Sequence, residues 1–195
     1  MGTTMTLELS EIRRFTPDEY HRLAEAGVLL PDERVELVRG VIRRMAPKGR
    51  RHVVAVQRAI QIFAVRLAGR ATVSIQDPLV REHWHSEPEP DVVLFSNPDA
   101  DAYGTPESDP LLVVEVADSS LDFDRTEKAK LYAEAGVPEY WIVNLVDDLL
   151  EVHREPEAGG YRSRQVLAQG DRIAPLHYPD LEIDPGELIP PGRPG

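Results

Sequence analysis

Two short apolar runs, each carrying one carboxylate, constrain this chain most. Asp91 opens Pro90-Asp91-Val92-Val93-Leu94-Phe95, and Glu115 lies within Leu111-Leu112-Val113-Val114-Glu115-Val116-Ala117. Runs this short, continuous, rich in β-branched residues and bounded by turn residues read as buried strands. A carboxylate there is costly unless it is paired, hydrogen-bonded or metal-bound. If the intervening segment closes an antiparallel hairpin, symmetric pairing sets Phe95 opposite Leu111 and Asp91 opposite Glu115. Opposed residues have Cα atoms about 4.5–5.5 Å apart. Two like charges there repel, and a divalent cation between them would convert the repulsion into a site.

The surrounding pattern predicts an α/β fold. Thr16 and Pro17 open a short helix over 17–26 that Gly27 closes. The stretch 34–45 alternates around Gly40 as a β-hairpin. Residues 51–68 are apolar at helical spacing (Val53, Val56, Ile60, Phe63, Ala64, Leu67) and stop at Gly69. Strands are expected over 71–80, 91–95 and 111–117, and a second helix over about 125–135, capped by Asp124 with Glu127 at the capping-box position. A strand at 139–144 and a hairpin across Gly159-Gly160 complete the order. The loop 96–110 is rich in Asp, Pro, Ser and Gly. The tail from Pro179 holds five of the seventeen prolines and reads as partly ordered at best. The expectation is one domain over 1–195, with its core at about 16–189. It is a mixed sheet flanked by helices, with additional β-hairpins at both ends.

Composition narrows the functional classes. The chain has 195 residues, a net charge of −12 and no cysteine, which excludes disulfides and thiolate metal sites. No apolar run approaches a membrane span, and the first residues lack a signal-peptide layout; a cytoplasmic protein is expected. Net acidity argues against a nucleic-acid partner, but its distribution argues less strongly. Leu37 to Gln76 contains no Asp or Glu and nine cations: Arg39, Arg43, Arg44, Lys48, Arg50, Arg51, Arg58, Arg66 and Arg70. These form either a basic face for a phosphate backbone or the solvated side of a helix.

On the second helix Lys128 precedes Leu131 by three, Tyr132 by four and Ala135 by seven, so it lies on the apolar face toward the sheet. It either reaches the two carboxylates or snorkels to Asp124. Lys130 groups with Glu127 and Glu134 on the outer face.

These residues match a known pattern. Pro-Asp followed by Glu within an apolar strand resembles the PD-(D/E)xK nuclease superfamily. The stretch LLVVEVADSSLDFDRTEKAKLYAEAGVPEYWIV is similar to the Uma-type restriction endonuclease family, as is ERVELVRGVIRRMAP followed by His52. The resemblance covers about residues 16–189. It implies a restriction-endonuclease-like fold and metal-dependent cleavage of DNA by Asp91, Glu115 and Lys128. Asp91 and Glu115 would hold Mg²⁺, with Mn²⁺ as a substitute. The superfamily's lysine stands two residues after the glutamate, where this chain has Ala117; Lys128 matches the family's own lysine.

Other candidates are Glu36, which matches a glutamate of the N-terminal signature, His52 as a phosphate contact or proton relay, and Gln57 on the apolar side of its helix. Each also has a structural reading. Lys48, Arg50 and Arg51 are candidates for nucleic-acid contact. His83, Trp84 and His85 look like a metal motif without a second cluster, and zinc is not expected. Three functions compete: a Mg²⁺-dependent endonuclease on DNA, a catalytically inactive nuclease-fold module binding nucleic acid or protein, and a phosphoesterase-like hydrolase on another substrate. Exposed strands at both ends suit a homodimer.

Overall fold

Thr16 and Pro17 start the first helix for the expected reason. In helix α1 (Pro17–Glu25) the Thr16 hydroxyl accepts the Glu19 N–H at 3.2 Å, and Glu19 accepts the Thr16 N–H at 3.1 Å. The computed structural model describes residues 12–81, 84–96 and 109–192. Two compact units emerge: 12–45 with 84–88, and 46–81 with 89–96 and 109–192.

In the first unit, β1 (Val35–Val38) and β2 (Val41–Arg44) form an antiparallel hairpin. Arg39 and Gly40 link them with φ of 50° and 74°, the doubly left-handed backbone of a type I′ turn. A Cβ on Gly40 would lie 2.5 Å from Arg14 Cβ, so only glycine fits. Leu37 bridges Glu87 through paired backbone hydrogen bonds of 3.3 and 2.7 Å.

The second unit carries a six-stranded mixed sheet. Its strands are β3 (Thr72–Ser74), β4 (Val92–Phe95), β5 (Pro110–Ala117), β6 (Glu139–Asn144), β7 (Leu149–Glu157) and β8 (Gly160–Leu167), side by side in that order. All neighbours are antiparallel except β5 and β6. A parallel pair needs a crossover, and a helical segment over 121–134 provides it. One face of the sheet (Val92, Leu94, Leu112, Val114, Val116, Trp141, Val143) packs on Ala55, Val56, Ala59 and Phe63 of helix α2 (Arg50–Arg66). The Phe63 and Trp141 rings lie 6.2 Å apart. On the other face, Tyr140 meets Tyr132 of the crossover at 5.1 Å.

The expected β4–β5 register holds at Val92–Val114, Val93–Val113 and Leu94–Leu112. Phe95 pairs instead with Pro110 across a bulge, where proline has no N–H for the ladder. Three expectations change. The strand expected over 71–80 ends at Ser74. The second helix begins at Leu121, so Asp124 lies inside it and is no cap. The loop expected over 96–110 and His83 of the metal motif fall largely outside the described residues.

The tail is the third correction. Leu181, Ile183, Leu188 and Ile189 join the core, and Pro185–Leu188 forms helix α5. Prolines leave backbone carbonyls without a sheet to bind them, and guanidinium donors satisfy these instead. Arg58 donates to Ile189 O at 2.9 Å and Gly186 O at 3.3 Å, Arg66 to Glu182 O at 3.1 Å, and Arg51 to Pro190 O at 3.0 Å. Arg70 clamps Asp180 through bonds of 2.7 and 2.9 Å. These four cations therefore fasten the tail rather than line a solvated helix face. Leu188→Ala is expected to cost about 2–4 kcal/mol in urea unfolding. Leu188 is fully buried and Leu176 46% exposed, so Leu176→Ala should stay within about 0.5 kcal/mol. Equal costs would mean that the tail does not complete the core.

Candidate active site

Asp91 stands immediately before β4, and the ladder continued one step from Val92–Val114 sets it opposite Glu115. Three donors converge on its buried carboxylate. Val116 N–H reaches Oδ2 at 2.9 Å, His52 Nε2 lies 3.1 Å from the same oxygen, and the Gln76 amide reaches Oδ1 at 3.1 Å. Burial alone raises its pKa. His52, Val116 and Gln76 more than offset burial and hold the carboxyl below its ordinary range, so Asp91 is an anion at neutral pH.

Glu115 lies in the buried middle of β5. Lys128 Nζ and the Tyr132 hydroxyl each donate to Oε1 at 2.7 Å. Both members of the Lys128–Glu115 pair are 5% exposed. Burial pushes the Glu115 carboxyl up to about 8; Lys128 pulls it down, while the charges of Asp124 and Asp91 push it further up. Three acids thus share one apolar region with one lysine in direct contact with Glu115.

Lys128 reaches Glu115 because of how the crossover is wound. After α3 (Leu121–Phe123), residues Asp124–Lys128 form a π-helical turn, and α4 (Ala129–Glu134) follows. Such turns are rare and concentrate at functional sites. Ser120 Oγ donates to Asp124 Oδ2 at 2.5 Å, and the Tyr140 hydroxyl donates to Asp124 O at 3.2 Å. The turn is pinned again at Arg125, which lies along buried Glu151 with Nε at 3.0 and 3.1 Å from its two oxygens. Glu115, Ile142 and Glu151 are register partners across β5, β6 and β7. One turn is therefore fastened at two points of one row. Ala117, at the position of the superfamily's lysine, pairs with Asn144 and is buried.

The structure brings together Asp91, Glu115, Lys128 and His52. Gln57 is exposed and not on the apolar stripe of α2, which comprises Ala55, Val56, Ala59 and Phe63. Arg51 is engaged: its guanidinium donates to Leu145 O at 2.7 Å and to Pro190 O, and pairs with Asp148. Arg50 is exposed and has no ion pair among the described residues; Lys48 is half-buried. Glu36 is buried in the first unit opposite Arg43, 3.4 Å away. Glu87 belongs to that unit too and pairs with His21 at 2.9 Å.

Gln76, Asp124, Arg125 and Glu151 were not legible as site residues. Spacing places Tyr132 on the apolar face of its helix, and only the fold shows that its hydroxyl donates to Glu115. A polar residue at a strand end or in a charged helix carries no spacing that names its partner.

Among the described residues no three His, Asp or Glu side chains converge as a metal cluster. Two hard carboxylates still fit Mg²⁺, which binds through one or two carboxylates and keeps several waters. They do not make a zinc centre, which needs three or four protein ligands. No described helix is long and apolar enough to cross a membrane.

No curated protein matches the chain. Among solved structures, a protein from Anabaena variabilis ATCC 29413 described as a putative nuclease belonging to DUF820 superposes with a TM-score of 0.67. The match covers 89% of this chain and 97% of that one at 15% identity, a likeness of fold. The model of the Uma2 family, described as putative restriction endonuclease, matches residues 17–186. That span is most of the sequence, and the chain belongs to the Uma2 family.

Proposed function

We propose that this chain is a Mg²⁺-dependent endonuclease that hydrolyses DNA phosphodiester bonds. One observation carries the reading: two buried carboxylates lie on neighbouring strand positions, Asp91 accepting the Val116 N–H at 2.9 Å and Glu115, the residue before it, taking Lys128 Nζ at 2.7 Å. A bound Mg²⁺, or Mn²⁺ in its place, would supply Lewis acidity at the scissile phosphate and a water of lowered pKa. Asp91 and Glu115 would hold it, with the Val116 carbonyl as a further ligand. Val116 N–H and His52 both meet Oδ2 of Asp91 and hold that oxygen in place. The Tyr132 hydroxyl does the same for Oε1 of Glu115. Lys128 orients the attacking water or offsets charge developing on the phosphate.

The DNA backbone would run past the start of α2. Its N-cap is Gly49, with no side-chain cap and no acidic residue in the first turn, an end whose dipole favours an anion; Asp118 Oδ2 approaches it, 3.4 Å from where a Cβ on Gly49 would stand. Lys48 and Arg50 flank that end. His52 Nδ1 is buried and has no hydrogen-bond partner among the described residues, which suits a proton relay or a phosphate contact. Two sites are needed to cut both strands, and the β8 edge is a candidate surface for a homodimer.

Ala117 favours a second reading, a nuclease fold that binds without cutting. Supercoiled plasmid separates the two. Nicking that requires Mg²⁺ or Mn²⁺, stops with EDTA and weakens steeply between 50 and 200 mM salt is expected of the nuclease. Salt-sensitive binding without nicking would establish the binding module instead.

A further inference from the structure

We infer that Gln76 is a positioning residue that aims the Asp91 carboxylate at the metal; this rests on the proposed nuclease reading. Gln76 follows β3 in a loop that grips the start of β4 twice. Its N–H donates to Pro90 O at 3.2 Å, and its side-chain amide donates to Asp91 Oδ1 at 3.1 Å. The other carboxylate oxygen already takes Val116 N–H and faces His52. The Gln76 amide thus decides how Oδ1 is turned, and Oδ1 keeps further lone-pair directions for a cation.

The backbone at this residue argues that the side chain is kept for its amide. Gln76 has φ of 54°, a left-handed conformation that glycine adopts freely and glutamine only at a cost. Residues held this way cluster at functional sites. Loop closure does not need the amide, because Ser74 Oγ bonds Asp77 Oδ2 at 3.0 Å within the same turn. Glycine would serve the loop alone without that cost.

Two substitutions separate positioning from packing. Gln76→Gly removes the amide and relieves the backbone; Gln76→Leu removes the amide and keeps the strain. Melting temperature should hold or rise for Gln76→Gly and fall for Gln76→Leu. Mn²⁺ affinity by calorimetry and plasmid nicking should fall together in both, by roughly ten- to a hundred-fold, as for other groups that orient a metal ligand. Native-like Mn²⁺ affinity in either variant overturns the inference. So does affinity that tracks the melting temperature. A native protein that takes up no Mn²⁺ overturns the metal reading itself, and that pattern is distinct because the variants then differ from it in nothing but stability.

Discussion

Glu115→Gln is expected to leave a folded protein whose metal-dependent plasmid nicking is lost by at least about a thousand-fold, or roughly 4 kcal/mol of barrier. The amide keeps the shape of the side chain and can still accept from the Tyr132 hydroxyl, now 2.7 Å from Oε1. It cannot supply the anionic oxygen that a hard dication requires. Calorimetry should show Mn²⁺ uptake lost in parallel. Nicking by Glu115→Gln within ten-fold of native would refute the carboxylate site. The native protein should also show a pH signature. Burial and the neighbouring acids push the Glu115 carboxyl up to about 8, so a proton competes with the metal below that pH. Metal affinity and cleavage should therefore rise as pH increases from about 6 to 8. A flat profile over that window would show that Glu115 does not change protonation when metal binds.

The second large effect concerns stability. Glu151 is fully buried, and Arg125, Arg164 and Asn144 all donate to it, with Asn144 Nδ2 at 3.0 Å and Arg164 at 2.8 Å. Removing Arg125 leaves a buried carboxylate short of its main partner, and Arg125→Ala should cost about 3 kcal/mol in chemical unfolding. The Arg164 side chain is 48% exposed; Arg164→Ala should cost at most about 1 kcal/mol. A reversed order would place the clamp at the sheet edge instead of the helical turn. Burial raises the Glu151 pKa, but His153, Arg125, Asn144 and Arg164 overcome it and hold the carboxyl well below its ordinary range. His153 Nε2 lies 3.8 Å from Oε2, too far for a hydrogen bond, which leaves Arg125, Asn144 and Arg164 as the bonded partners of Glu151. A depressed native pKa contributes stability that is complete above the unfolded value of about 4.5 and is lost as pH falls below it. Stability should be level in this respect above about pH 5 and decline in more acid solution. Arg125→Ala should flatten that decline.

Much of the site was legible before the fold. Apolar runs around Asp91 and Glu115 predicted the pairing that Val92–Val114 and Leu94–Leu112 display. Spacing against Leu131 and Tyr132 put Lys128 on the sheet side, where it meets Glu115. Both readings depend on periodicity, which is a property of near neighbours along the chain and is written into a few consecutive residues.

Partner choice across the chain was not written that way. Arg51, Arg58, Arg66 and Arg70 read as either a basic face or the solvated side of a helix, and only packing shows the tail more than a hundred residues away taking their donors. Gln57 lies near the apolar stripe by helical count, yet the sheet covers its neighbours and leaves it exposed. The π-helical turn at Asp124–Lys128 has no composition of its own; it is held by Ser120, Tyr140 and Glu151, two of them on other strands. Local pattern decides which face a side chain occupies. Which buried charge it then answers depends on the unmet hydrogen-bonding groups that distant segments bring to that face, and these exist only once the sheet has formed.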